Sequence, residues 1–491
     1  MNLTGKQIIG FSTKTEGQRT FQGINAASGE PLPKIFTEAT VGEADEALSK
    51  ATAAFKTYRK LSDSKRAAFL NAIAEEILAI GDLLIQTACA ESGLPEARIT
   101  GERGRTIGQI QAFANFISNP SWKREIIDEA MPERQPLPKP RLVQQQIPLG
   151  ASVVFGASNF PLAFSVAGGD TLSALAAGCP VVFKAHPAHP NTCDLVGQAI
   201  QKAAQKTGMP DGVFSLLHAQ NHEIGGYLVT HPLTKAVAFT GSYRGGKAIY
   251  DLAVRREVPI PVYAEMGSIN PVFLFSQRIQ AQGDALADAF SQSICLGVGQ
   301  FCTNPGLLIL LEKDQTFLKG LAQKLDAMPL GTFLTTGIKQ AFDHGWNALN
   351  HHPAVNKLTS ADQPSPSLFQ TSSKEALAHP EVLEEVFGPS TLAVVCKDLD
   401  DMISFTEQLP GQLTATIQAE ASELAELAEL IDEVSQKVGR ILLNGFPTGV
   451  EVSPAMVHGG PFPATSDARS TSVGTEAIYR FTRPVCWQNF N

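Results

Sequence analysis

The chain has 491 residues, a formal net charge of −9, and 43% hydrophobic against 18% charged side chains. These totals describe a globular protein of two or three domains, and the acidic balance argues against nucleic acid or an anionic membrane surface as a partner. The cysteines Cys89, Cys179, Cys193, Cys295, Cys302, Cys396 and Cys486 are odd in number and scattered, with no CxxC pair. That spacing predicts reduced thiols in a cytoplasmic protein, with neither a disulfide framework nor a metal centre. Residues 1–6 lack the apolar core of a signal peptide, and apolar runs such as Val153 to Phe155 are strand-length.

Residues 1 to about 38 read as irregular or strand-like. A helical layer follows, with segments at about 44–58, 64–80, up to Ser92, and 95–117. Five prolines between 120 and 140 exclude both a helix interior and a central strand, so 119–141 reads as an extended arm. From 141 onward short buried strands alternate with helices, as in parallel βαβ units. Helices are expected over 165–177, 193–208, 284–295 and 421–438. Asn159, Lys184 and Gly241–Ser242 fall at the carboxyl ends of predicted strands, where such sheets bind ligands.

The stretch Gly297-Val298-Gly299-Gln300-Phe301-Cys302-Thr303-Asn304-Pro305-Gly306 stands apart. Small residues on both sides allow backbone and ligand to approach the sulfur. A nucleophilic thiol with backbone N–H groups for an oxyanion is one reading; a buried structural cysteine is the other. Glu265 follows an apolar strand and precedes Met-Gly, which favours a site carboxylate over a solvated one. Asn159 reads equally as an oxyanion donor or as a turn residue before Phe-Pro.

In order, the chain holds Gly-Ala-Ser-Asn-Phe-Pro (156–161), Val-Phe-Lys-Ala-His-Pro (182–187) and Phe-Thr-Gly-Ser (239–242). Glu-Met-Gly-Ser-Ile-Asn-Pro (265–271), Gly-Gln-Phe-Cys-Thr-Asn-Pro-Gly (299–306) and Glu-Val-Phe-Gly-Pro (385–389) complete the series. Over nearly its whole length the chain resembles the NAD(P)-dependent aldehyde dehydrogenases. The tail His458-Gly459-Gly460-Pro461-Phe462-Pro463-Ala464-Thr465-Ser466-Asp467-Ala468-Arg469 makes it most similar to the α-ketoglutarate semialdehyde (2,5-dioxopentanoate) dehydrogenases.

The resemblance implies an α/β aldehyde dehydrogenase fold. Residues 1–118 and 142–264 would form a Rossmann-like cofactor domain, 265–456 a catalytic domain, and 119–141 with 457–491 an oligomerisation arm of a homodimer or homotetramer. It implies Cys302 as nucleophile, Glu265 as the base that activates water, and Asn159 as oxyanion donor. Phe155, Gly156, Gly241, Ser242 and Gly246 would border the dinucleotide, with its pyrophosphate on the helix opened by the GxxxxG turn. Lys184 would reach the adenosine ribose, Glu385 the nicotinamide ribose, and Phe387 would pack beside it or simply in the core.

Many relatives that prefer NAD carry a carboxylate where this chain has Pro187. With Lys184 and His186 available to a 2′-phosphate, the expected cofactor is NADP, with NAD possible. For the aldehyde, Arg105 and then Arg103 are candidate partners of a substrate carboxylate, or else part of a solvated helix face. Phe160, Phe301 and Phe462 are expected to form an apolar wall. A fatty-aldehyde dehydrogenase, a CoA-acylating relative, a cysteine hydrolase and a catalytically silent homologue are the competing readings. Glu265 argues against the second, and the Gly241 turn and Lys184 against the third.

Overall fold

Short runs of Val, Ile, Leu and Phe assemble, in a computed structural model that describes residues 2–490, into two seven-stranded sheets. The first runs in the order Val262–Glu265, Ala236–Thr240, Ser152–Phe155, Val181–Lys184, Phe214–Leu217, Gln7–Ile9, Ser12–Lys14. Its first five strands are parallel, and the last two add antiparallel at the edge. The parallel strands are buried on both faces, which is why they read as continuous apolar runs without alternation.

The second sheet runs Asn356–Lys357, Ser367–Ser372, Ser390–Cys396, Leu307–Leu311, Pro271–Leu274, Gln412–Gln418, Val438–Leu443, parallel except at its first pair. The chain crosses from one sheet to the other between Glu265 and Pro271. Helices Val41–Tyr58, Asp63–Ile80, Asp82–Ser92 and Glu96–Ile117 form the expected layer beside the first sheet.

A third sheet pairs Thr482–Gln488, Leu142–Pro148 and Ile126–Asp128, all antiparallel. The proline-rich arm and the end of the tail therefore share one structure, and Leu142–Pro148 joins them rather than the cofactor sheet. Most of the tail does something else. Met266 N–H donates to Ala464 O, Ser466 N–H to Ala264 O, and Thr465 bridges Glu265, so the segment around 458–472 lies against the strand that ends in Glu265.

Two expected helices are shorter than their composition suggests. The one expected over 165–177 begins only at Gly169, because Leu162 and Ala163 N–H groups bond the Glu102 carboxylate and hold the preceding chain in turns. The one expected over 421–438 is Ala428–Lys437. Ahead of it the Glu423 carboxylate takes the N–H groups of Glu420 and Gln277, an alternative to the helical ladder.

The second core reaches the cleft through Phe342. It is fully buried, packs on Phe333 at 5.2 Å between ring centroids, and lies so close to Gly388 that a Cβ there would stand 2.3 Å from its ring. Only glycine fits at 388, and the ring braces the segment carrying Glu385 and Phe387. Phe342→Ala should lower unfolding stability by about 3–5 kcal/mol, read from the denaturant midpoint.

Candidate active site

Cys302 sits on the loop between the Leu296–Gly299 turn and the strand Leu307–Leu311. Gly297, Val298 and Gly299 all have positive φ, at 54°, 61° and 65°. For the β-branched Val298 that backbone is strained, so the surroundings must hold it. Asn270 Nδ2 donates to Cys302 O and Asn304 O, each at 2.9 Å. Asn159 Nδ2 donates to Gln300 O at 2.9 Å, and Asn304 Nδ2 to Gly388 O at 3.1 Å. Gly299 packs against the Gly388 backbone, where a Cβ would lie 2.3 Å from the carbonyl carbon.

Three reactive side chains meet here. His458 Nε2 lies 3.5 Å from Cys302 Sγ and 3.0 Å from Glu265 Oε1. Glu265 and His458 are buried, and Cys302 is half-buried. Ser472 Oγ donates to Glu265 Oε2, while Oε1 has no hydrogen-bond partner. Burial pushes the Cys302 thiol well above its usual range, and the neighbouring Glu265 charge adds to that. For Glu265, burial acts upward, but the His458 contact, the Ser472 hydroxyl and the field of Arg480 outweigh it and hold the carboxyl below its usual range. Cys193 is a different kind of thiol: buried in the core 3.2 Å from His189 Nδ1, it is pushed up to about 12 by burial.

Asn159, Phe160 and Phe164 come from the loop after strand Ser152–Phe155, and Phe301 from the Cys302 loop. Phe160 and Phe301 meet edge to face at 5.3 Å, and Phe160 packs on Phe164 at 5.2 Å. Arg98 lies over Phe160 at 4.7 Å and over Phe301 at 5.5 Å, and Arg105 over Phe164 at 5.1 Å. The buried Glu102 accepts from Arg98 Nη1 at 2.8 Å and from Leu162 and Ala163 N–H at 2.9 Å. It fastens the Asn159 loop to helix Glu96–Ile117. Arg105 is half-buried, its Nη1 has no hydrogen-bond partner, and its charge couples first to Glu102 and then to Cys302.

Three expectations need correction. Arg103 donates to Gly81 O at 3.3 Å, on the far side of its helix. Residues two apart on a helix face opposite ways, whereas Arg98 and Arg105, seven apart, share a face. Phe462 is exposed and packs on Tyr243 at 6.0 Å, beside the helix Tyr243–Val254, away from Phe160 and Phe301. His186 brings no charge to the Lys184 end, because burial, with His189 and Lys184 beside it, pushes its pKa well below the usual value. Its Nδ1 accepts from Ala188 N–H at 3.1 Å, a turn bond. Sequence reasoning also passed over His458, Arg98 and Glu102. Helical spacing could have found the last two; His458 is 156 residues from Cys302 and carried no local signal.

The cofactor side is built at the carboxyl edge of the first sheet. Gly241, Ser242, Tyr243 and Arg244 are exposed where helix Tyr243–Val254 begins, and Ser242 Oγ caps Gly245 N–H at 3.2 Å. Gly246 backs onto Met266, where a Cβ would lie 2.5 Å from Cγ. An exposed, glycine-lined helix N-terminus suits a dinucleotide pyrophosphate. Phe155 packs under it on Phe239 at 6.3 Å, Gly156 on the Phe183 ring, and Lys184 and Pro187 follow at the next strand end. Burial lowers the Lys184 pKa to about 8. Glu385 places a carboxylate oxygen over Gly267, where a Cβ would lie 2.3 Å away; although solvent reaches the side chain, the cleft walls raise its pKa to about 7. Phe387 follows on the same cleft-lining segment.

Two parallel α/β sheets, with a cysteine and a carboxylate meeting between them and a glycine-lined helix N-terminus at the edge of the first, define the class of NAD(P)-linked oxidoreductases. The chain belongs to the aldehyde dehydrogenase family, whose pattern matches residues 12–363. It is 49% identical to alpha-ketoglutaric semialdehyde dehydrogenase 2 of Azospirillum brasilense, over 100% of this chain and 95% of that one. The alpha-ketoglutaric semialdehyde dehydrogenase of Acinetobacter baylyi is 44% identical, over 99% and 94%. Among solved structures, betaine aldehyde dehydrogenase from Staphylococcus aureus in complex with NAD+ superposes with a TM-score of 0.85 at 18% identity, covering 100% of this chain and 96% of that one. Among the described residues no helix is long and apolar enough to cross a membrane.

The raised thiol pKa has a direct readout. Alkylation of Cys302 by iodoacetamide, followed by peptide mass, should be slow at neutral pH and still rising above the usual cysteine pKa of about 8.5. Glu265→Gln removes the nearby negative charge, so it should lower that pKa and speed labelling at neutral pH. A rate that levels off below the usual cysteine range would contradict the electrostatics.

Proposed function

We propose that this enzyme oxidises a short aldehyde carrying a distal carboxylate, α-ketoglutarate semialdehyde first, to the acid, with NADP preferred. The observation that carries the substrate class is the half-buried Arg105 guanidinium with an unpartnered Nη1, sharing a helix face with Arg98 beside the aromatic wall of Cys302. A guanidinium nitrogen out of water without a hydrogen-bond partner calls for an acceptor from outside. The names of the two full-length relatives point the same way.

The chemistry runs through Cys302. Its proton passes to Glu265 as the sulfur attacks the carbonyl. Asn159 Nδ2, which spends one N–H on Gln300 O, has its second for the developing oxyanion, together with Cys302 N–H. Bound NAD(P) supplies the hydride acceptor. A thioester on Cys302 remains. Glu265, its proton released to solvent, then takes one from an attacking water, and the acid leaves as the thiol re-forms. Ser472 and His458 orient the carboxylate for both steps.

Gly241, Ser242 and Gly246 would hold the pyrophosphate, Lys184 the adenosine ribose and Glu385 the nicotinamide ribose. Ile126, Ile127, Met131 and Leu137, apolar and exposed on the arm, support a homodimer or homotetramer.

A panel of acidic and neutral aldehydes of equal length tests the substrate. A buried arginine–carboxylate pair is typically worth ~1.5–3 kcal/mol. Arg105→Ala should therefore lower kcat/KM for the acidic aldehyde roughly ten- to a hundredfold and leave the neutral one nearly unchanged. Arg103→Ala should match the wild type on both. Equal losses on both aldehydes would remove Arg105 from substrate recognition.

For the cofactor, the wild type should show the higher kcat/KM with NADP. Pro187→Glu should shift the ratio towards NAD, because a carboxylate there repels a 2′-phosphate. A wild type that works better with NAD would refute the preference.

A further inference from the structure

We propose that Cys302, His458 and Glu265 also form a binding site for one zinc-class divalent ion, and that loading it blocks the enzyme. The blocking half rests on Cys302 being the nucleophile; the site itself does not.

Thiolate, imidazole and carboxylate are the three donor types that protein zinc takes. With bonds of about 2.3 Å to sulfur and about 2.0–2.1 Å to nitrogen and oxygen, a tetrahedral ion holds its S and N ligands roughly 3.5 Å apart, and its N and O ligands roughly 3.3 Å. Here Sγ and His458 Nε2 are 3.5 Å apart, and Nε2 and Glu265 Oε1 3.0 Å. All three ligand atoms fall within 4.8 Å of one another. Two sides of the triangle are therefore already close to the size an ion requires, and the third lies within 4.8 Å.

A second observation points to an outside ligand. Glu265 Oε1 is buried without a hydrogen-bond partner, although His458 Nε2 stands within ion-pair distance of it. Ser472 occupies only the other oxygen. His458 Nδ1 has no protein partner, so it can carry the ring proton when an ion takes Nε2, whose own proton otherwise faces Glu265. Charge closes too: a dication with one thiolate and one carboxylate sums to zero, which removes the main penalty for burying the ion. Cys302 is only half-buried, which leaves the fourth position for water. Binding displaces the thiol proton to solvent, so affinity rises with pH, and no redox change is involved. The soft sulfur selects zinc, cobalt or cadmium over magnesium or calcium.

The molecule contains an internal control. His352, His379 and Glu381 also come within 4.8 Å of one another, on the surface. His352 Nδ1 accepts from Ala354 N–H at 3.2 Å, which leaves its proton on Nε2, the nitrogen an ion would need.

Chelator-treated, full-length protein is titrated with cobalt(II) and with zinc. Wild type should take up one cobalt per chain with a thiolate-to-cobalt charge-transfer band. The band should be absent in Cys302→Ala and in wild type pre-alkylated at Cys302, and His458→Ala should weaken zinc at least ~tenfold. His379→Ala should bind as wild type does. Zinc should abolish activity with the same midpoint, and chelator should restore it. No band in the wild type, or an undiminished band after Cys302 is blocked, overturns the site. A band on fully loaded enzyme that keeps its activity overturns the block, and with it the nucleophile assignment, while the site stands.

Discussion

The position of the reactive sulfur depends on Asn270. It is fully buried, its φ is +48°, and it stands on the crossover between the two sheets. Its amide nitrogen reaches the carbonyls of Ser268, Cys302 and Asn304, and its amide oxygen accepts from the Ser268 and Thr414 hydroxyls. One side chain thereby ties the end of the Glu265 strand to the Cys302 loop and both to the second sheet. The strained turn at 297–299 persists because such bonds over-determine it. Both polar atoms of the Asn270 side chain are paired, as a buried amide requires if it is to rigidify its surroundings.

The second constraint is electrostatic. Burial raises the Cys302 thiol, while His458, Ser472 and Arg480 outweigh burial and keep Glu265 ionised. Two titratable groups in contact are driven apart in pKa, the arrangement that separates acid from base at one pH. The same closeness that lets Glu265 serve the thiol makes the pocket a ready cage for a soft dication. Protection of the sulfur and its vulnerability to metal have one geometric origin.

Arg98 and the loop that carries Asn159 are coupled through Glu102. Its carboxylate holds Arg98 on one side and the Leu162 and Ala163 amides on the other. Helix Glu96–Ile117 therefore both carries the cations and positions Asn159. Losing Glu102 would leave two amides and a guanidinium without partners in a buried place, which costs more than any one bond contributes.

The local chemistry determined much of this protein. Apolar runs ending in Gly or Lys marked the parallel strands, and prolines marked the arm. The Gly-rich approach to Cys302, with Glu265 and Asn159 at strand ends, marked the cleft. Helical period alone separates Arg105 from Arg103, and it would have brought in Arg98 and Glu102 had it been applied to residues 98–105. Other features belong to the tertiary structure alone. His458 reaches Cys302 and Glu265 because the tail folds back along the Glu265 strand, a contact across 156 residues that no spacing rule encodes. Phe462 faces Tyr243 because a neighbour distant in sequence sets its environment. Periodicity and turn chemistry act over a few residues, so they specify elements and strand ends. Burial, charge coupling and ligand geometry are sums over whatever the fold brings together, and only the folded chain decides them.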